Sequence, residues 1–192
     1  SYINNSKKIN FLEVSEFYKS SLNLAKIVKN KKLKIILKIG FNSKFNFEKV
    51  HQKFLNILKK INKEKVHSLF IHHSKDFLNN YEVLNDFFYE IKKNKIVNKI
   101  GISVYDESEI IEVLKYYKFD ILQVPLNLFN QKFAEKKYIK FFKKKNVEVH
   151  VRSIFLQGLL LSDAKQVPKK LKYYKKNFFK FEKFIENKSK NK

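Results

Sequence analysis

Apolar, β-branched runs recur along the chain at 9–14, 33–38, 66–72, 99–103, 119–124 and 147–152. Between them the apolar positions switch to helical spacing. Phe47, Val50, Phe54, Leu55, Leu58 and Ile61 form one stripe, opened by Asn46 as the expected N-cap. Tyr81, Leu84, Phe87, Phe88 and Ile91 form a second. Asp106 and Glu109 have capping-box spacing ahead of Ile110, Ile111, Val113 and Leu114. Phe133, Tyr138, Phe141 and Phe142 supply a further helix, and 22–28 a short first one. Strand starts therefore fall roughly 20 to 35 residues apart with a helix in each gap, the βα repeat of a parallel sheet. The central runs are apolar throughout, as strands covered on both faces should be.

Six such units without a Gly-rich phosphate loop fit a parallel (β/α)8 TIM-type barrel better than a doubly wound sheet. With three glycines in the chain there is no Gly-x-Gly-x-x-Gly. A full barrel needs eight units in about 250 residues, so this one is expected to be incomplete, with about six units present. The expected organisation is one domain over 1–192, with a Lys- and Phe-rich amphipathic helix at 168–187 and a polar tail at 188–192.

Composition alters this picture little. No apolar run approaches the ~20 residues of a membrane span, and the first residues lack the apolar centre of a signal peptide. A soluble cytoplasmic protein, with no membrane partner, is the expectation. Cysteine is absent, which excludes disulfides and thiolate metal sites. The formal charge of +24 suggests a polyanion partner. Yet Arg152 is the only arginine, whereas nucleic-acid readers rely on arginine for bidentate contacts. Abundant Lys, Asn, Ile, Phe and Tyr match AT-rich coding, so no specific nucleic-acid partner is expected.

The candidate chemistry lies at strand ends. The apolar runs close on Glu13, Lys38, His72, Ser103, Gln123 and Arg152, and Tyr18 follows the first run closely. In a barrel these positions converge on one mouth. A lysine beside a tyrosine favours the phenolate, a carboxylate can hold that lysine, and a histidine can orient a carbonyl oxygen. Such a set suits protonation of a carbonyl while hydride arrives from a cofactor. Lys38 closes an apolar run, where a lysine is costly unless it faces a polar cavity. Adjacent histidines on a strand point to opposite faces, so His72 and His73 do not predict a metal site, and none is expected. His51, His67 and His150 read as packing residues without partners.

The order of these residues resembles the aldo-keto reductase family over 9–161. Phe11-Leu-Glu-Val-Ser-Glu-Phe-Tyr18 is similar to that family's Phe-Ile-Asp-Thr-Ala-x-x-Tyr. The run ending at Lys38 resembles its strand ending in Thr-Lys, and Leu69-Phe-Ile-His72 its strand ending in the catalytic His. Residues 96–103 resemble its Gly-Lys-Ile-Arg-x-Ile-Gly-Val-Ser segment. Gln123, Pro125 and Asn127 match Gln-x-Pro-x-Asn, and 152–160 match the late strand and its loop. The resemblance implies an NADP-dependent oxidoreductase, with NAD as the alternative cofactor and no metal, acting on a small-molecule carbonyl. It implies Tyr18 as general acid, Lys38 and Glu13 as its tuners, and His72 as substrate orienter. Ser103 and Gln123 would hold the nicotinamide carboxamide, and Arg152 would occupy the position of a stacking tyrosine. Ser153, Phe155 and Gln157 would follow the pyrophosphate.

The chain departs from the family pattern at Glu13 for Asp, Val104 for Asn and Lys19 for Gly. By this resemblance the chain is expected to end before an eighth strand and basic loop, with a first strand vestigial or absent in residues 1–8. With no Met and a Ser at its start, the chain is expected to be a fragment. Two alternatives follow from the residues: a catalytically impaired barrel serving as a binding or subunit protein, and a polyanion-binding protein.

Overall fold

Six strands, each buried or half-buried along most of its length, stand side by side in the order in which the chain makes them. The computed structural model describes residues 8–18, 20–30, 32–41, 43–163 and 167–190. Its strands are β1 (Phe11–Ser15), β2 (Lys34–Ile39), β3 (Val66–Ile71), β4 (Val97–Ser103), β5 (Ile121–Pro125) and β6 (Glu148–Arg152). The intervening helices are α1 (Ser21–Ile27), α2 (Phe47–Lys60), α3 (Ser74–Leu78), α4 (Tyr81–Lys93), α5 (Glu107–Tyr116) and α6 (Lys136–Lys145), and α7 (Lys175–Lys190) closes the described chain. This is an incomplete (β/α)8 barrel of six parallel strands, as the βα spacing predicts. Residues 1–7, where a vestigial first strand was expected, lie outside the described residues.

Register aligns the strand ends. Ser15 pairs with Lys38, Lys38 with Phe70, Phe70 with Gly101, and Ser103 with Gln123. Ile36, Phe70 and Ile121 form the inner apolar cluster. Gly101 is needed there: a Cβ on it would lie 2.6 Å from the Phe70 ring, which is wholly buried. Outside the sheet, Asn46 caps α2 by accepting from Lys49 N at 3.1 Å, and Asp106 caps α5 by accepting from Glu109 N at 3.0 Å. Phe54 of α2 meets Phe87 of α4 edge-on at 5.5 Å. A second aromatic cluster joins Phe77, Phe88, Tyr117 and Phe119.

Some boundaries differ from expectation. Phe133 lies in a separate 3₁₀ turn, Lys132–Ala134, because Glu135 is extended (φ −63°, ψ 143°) and interrupts the helical run. The C-terminal helix starts later than 168. Pro168 is extended and Leu171 falls off the helical path (φ −105°, ψ 15°), so a 3₁₀ segment, Lys169–Tyr174, comes first. No Gly or Pro then stops α7, which continues through 188–190 where a polar tail was expected. The short α3 was not anticipated at all.

The chain forms two compact units. The first holds the described residues of 1–124 with Glu135–His150; the second holds Pro125–Ala134 and the described residues of 151–192. The second is built from loops around α7, with Phe178 buried and meeting Phe129 edge-on at 5.0 Å.

Candidate active site

The end of β2 brings an ammonium group into the core of the first unit. Lys38 is only 2% exposed, a position that a charged side chain tolerates only when it is paired and hydrogen-bonded. Its Nζ donates to Glu13 Oε1 at 2.9 Å and also to Gln123 Oε1. Gln123 Nε2 in turn donates to Glu13 Oε2. Ammonium, carboxylate and carboxamide thus close a triangle, although Glu13 and Gln123 are 110 residues apart in sequence. Both oxygens of Glu13 are engaged. Ser103 is buried beside Gln123 at the adjacent strand end, and Val104 N donates to Gln123 O at 2.9 Å.

The loop after β1 carries Tyr18 to the same end of the sheet. Tyr18 N donates to Ser15 O at 3.1 Å, and Ser21 Oγ bonds Ser15 O at 2.8 Å and Tyr18 O at 2.9 Å. The turn is therefore tied back onto β1. The Tyr18 side chain is half-exposed, its ring centroid 6.3 Å from that of His72. Phe17 meets His72 edge-on at 5.0 Å. Five of the expected site residues of the first unit thus form two contacting groups: Lys38 with Glu13 and Gln123, and Tyr18 with His72. The rings of His72 and His73 lie 4.5 Å apart rather than on opposite faces. β3 ends at Ile71, so strand alternation no longer governs them. Among the described residues no group of three or more His, Asp or Glu that could hold a metal occurs.

Sequence reasoning missed the clamp behind this site. Glu16 Oε1 accepts from Gly40 N at 3.2 Å and pairs with Lys53 Nζ at 2.8 Å, while Lys53 Nζ donates to Gly40 O at 2.6 Å. Asp76 Oδ2 accepts from Phe41 N at 2.9 Å. The backbone leaving β2 just beyond Lys38 is thereby held from three sides. An acidic residue directly after β1, Glu16, and another in the first turn of the helix that follows β3, Asp76, were the available signal. The histidines read as partnerless also have partners: His51 Nε2 lies 3.6 Å from Glu90, His67 Nδ1 3.2 Å from Ser68 Oγ, and His150 Nε2 2.7 Å from Glu148. Burial would raise the Glu148 carboxyl, but hydrogen bonds from Lys99 and His150 outweigh it and hold it below the usual range.

The second unit holds the remaining expected residues. Arg152 Nη1 lies 3.4 Å from Ser153 Oγ, and Leu126 N donates to Arg152 O at 3.1 Å. Ser153, Leu156, Gln157 and Gly158 all take left-handed backbone conformations (φ 60°, 49°, 58° and 89°). Ser153 and Gln157 line a cavity of about 870 Å³ together with Asn127, Tyr174 and Phe178. Phe155 instead lines a smaller one of about 370 Å³ beside Leu126 and Phe181.

A model of the aldo/keto reductase family matches residues 6–188. The chain belongs to that family. No curated protein matches this aldo/keto reductase chain significantly. Solved structures share its fold at low identity. An aldo/keto reductase from Brucella melitensis is 19% identical, with a TM-score of 0.61 over 84% of this chain and 64% of its own. A Bombyx mori aldo-keto reductase in complex with NADP is 16% identical, with a TM-score of 0.58 over 75% and 52%. A glycerol dehydrogenase from Gluconobacter oxydans is 18% identical, with a TM-score of 0.62 over 84% and 53%. The chain spans less than two thirds of the length of each.

Proposed function

We propose that this aldo/keto reductase chain reduces an aldehyde or ketone to the alcohol, with NADP(H), or alternatively NAD(H), as hydride donor and Tyr18 as general acid. The observation that carries this reading is the buried Lys38–Glu13 pair at the strand ends, with Tyr18 and His72 at the same end. A bound nicotinamide would supply the hydride to the carbonyl carbon. Ser103 and Gln123 suit its carboxamide, because a hydroxyl and an amide at neighbouring buried strand ends offer both donors and acceptors. In this reading the family resemblance assigns Arg152, Ser153, Phe155 and Gln157 to the rest of the cofactor.

His72 orients the carbonyl oxygen, Tyr18 gives it a proton, and the Lys38 ammonium, held by Glu13, favours the charge left on the phenol oxygen. Half-exposure of Tyr18 suits a group that must reach a small carbonyl compound arriving from water. A second reading rests on Gln123, whose amide already engages Lys38 and Glu13: a barrel that binds small molecules or partners without catalysis. Turnover of NADPH with a panel of small aldehydes separates the two. The reductase reading expects Tyr18→Phe to lower kcat by at least ~100-fold, the usual contribution of a general acid, with NADPH affinity little changed. Equal turnover by both proteins removes Tyr18 from the chemistry.

A further inference from the structure

At the opposite ends of the strands from Lys38 lies a groove of about 1000 Å³ on the first unit. Three turns wall it: the one entering β2, the one between α2 and β3, and the one between α4 and β4. Its floor is apolar and buried, formed by Val28, Leu33, Ile35 and Val66. Its rim carries Lys34, Lys59, Lys63, Lys65 and Lys95 against the single carboxylate of Glu64. Among the described residues, ion pairs take up Lys38, Lys53, Lys92, Lys99, Lys115 and Lys137, and none of these five. Lys59 closes α2, where a cation complements the helix dipole. Lys63 Nζ donates to Val28 O at 3.3 Å and Lys34 Nζ lies 5.2 Å from the Phe11 ring centroid, contacts that supply no negative charge to either ammonium.

We propose that this groove is a binding site for a compact oligophosphate, a ligand with three or more linked phosphate groups. The charge argues for several phosphates rather than one. A single phosphate carries at most about two charges and would leave most of the five ammonium groups unneutralised, whereas a triphosphate approaches balance. Lysines act as mobile point charges toward phosphate, so the absence of arginine is no obstacle. The volume lies within the range of small-ligand sites, and the turns bound it on three sides. His67, which also lines the groove, records the local field. Burial first, then Lys34 and Lys99, hold its imidazole below the ordinary value, with His150 acting in the same sense and Glu148 against it. An anion seated beside it must reverse part of that effect. This site is independent of the reductase reading and shares no residue with it.

Calorimetry with inorganic triphosphate at about 0.15 M salt tests the site, with inorganic orthophosphate and a short single-stranded DNA run alongside. The groove variant is Lys63→Gln/Lys65→Gln/Lys95→Gln. Its charge-matched control is Lys140→Gln/Lys143→Gln/Lys144→Gln on α6. The site predicts saturable one-to-one triphosphate binding, weakened about tenfold by the groove variant and less than about twofold by the control. It also predicts that triphosphate raises the His67 pKa in a proton NMR titration, with the His67→Gln spectrum supplying the assignment. Equal weakening by both variants, with His67 unmoved, reduces the binding to nonspecific attraction by a chain of high net charge and overturns the proposal. So does saturable binding of the DNA alone.

Discussion

The Lys38–Glu13–Gln123 triangle predicts an asymmetry between two substitutions that remove the same ion pair. Lys38 and Glu13 have side chains 3% and 29% exposed. Glu13→Leu leaves an ammonium in the core with Gln123 Oε1 as its remaining partner in the triangle. Breaking a buried pair from one side costs about 3–5 kcal/mol. Because Gln123 stays in place and the pair borders water at Glu13, the cost falls to the bottom of that range or just below it, about 2–3 kcal/mol. Lys38→Met leaves a carboxylate that already touches water and keeps its bond from Gln123, so it costs only about 1 kcal/mol. The double variant Glu13→Leu/Lys38→Met restores charge balance with apolar volume and is more stable than Glu13→Leu alone. Urea unfolding at constant m-value reads all three. Strictly additive costs, or a larger cost for Lys38→Met than for Glu13→Leu, would refute the reasoning.

Other consequences follow from single contacts. Gly101→Ala drives a Cβ to 2.6 Å from the wholly buried Phe70 ring and is expected to cost about 1–3 kcal/mol in the same assay; an unchanged midpoint would show that the inner cluster yields freely. Gly40→Ala meets the Phe17 ring at 2.6 Å, but that ring is exposed enough to swing away. Its effect should therefore be small on stability and visible in the NMR shifts of His72, against which Phe17 packs. Tyr117 is pushed up to about 12, first by burial and then by the Asp120 charge. Its raised value favours the fold below pH 10, and that contribution is lost as pH rises from 10 through 12, because the unfolded phenol ionises first. Ultraviolet titration of wild type against Tyr117→Phe should find one tyrosine ionising late, and its absence would contradict the burial.

Much of this architecture was legible because the relevant signals are local. Leu33-to-Lys38 and its neighbours are apolar runs separated by stripes of helical period, and β-strand alternation puts Glu13, Ser15 and Lys38 at related positions once register is known. Asn46 and Asp106 announce their helices by capping chemistry that needs only three residues. What was not legible depends on curvature and on chain reversal. Nothing in the sequence near Gln123 says that the sheet curls enough to bring its amide to Glu13. The clamp of Glu16, Lys53 and Asp76 on Gly40 and Phe41 joins two separate loops and two helices. Strand alternation misplaced His73 because it was applied to the two residues past the end of β3. The division into two units draws on discontinuous segments, 125–134 and 151–192, and no composition change marks it.

Isotope transfer addresses the central claim most directly. The 192-residue chain is incubated with NADPH carrying deuterium at the transferable C4 position and with a small aldehyde, and the alcohol is analysed by mass spectrometry. The account predicts deuterium on the former carbonyl carbon, and its disappearance with Tyr18→Phe while NADPH still binds. Bound NADPH with no deuterium in any alcohol would contradict it and leave the barrel a binding protein.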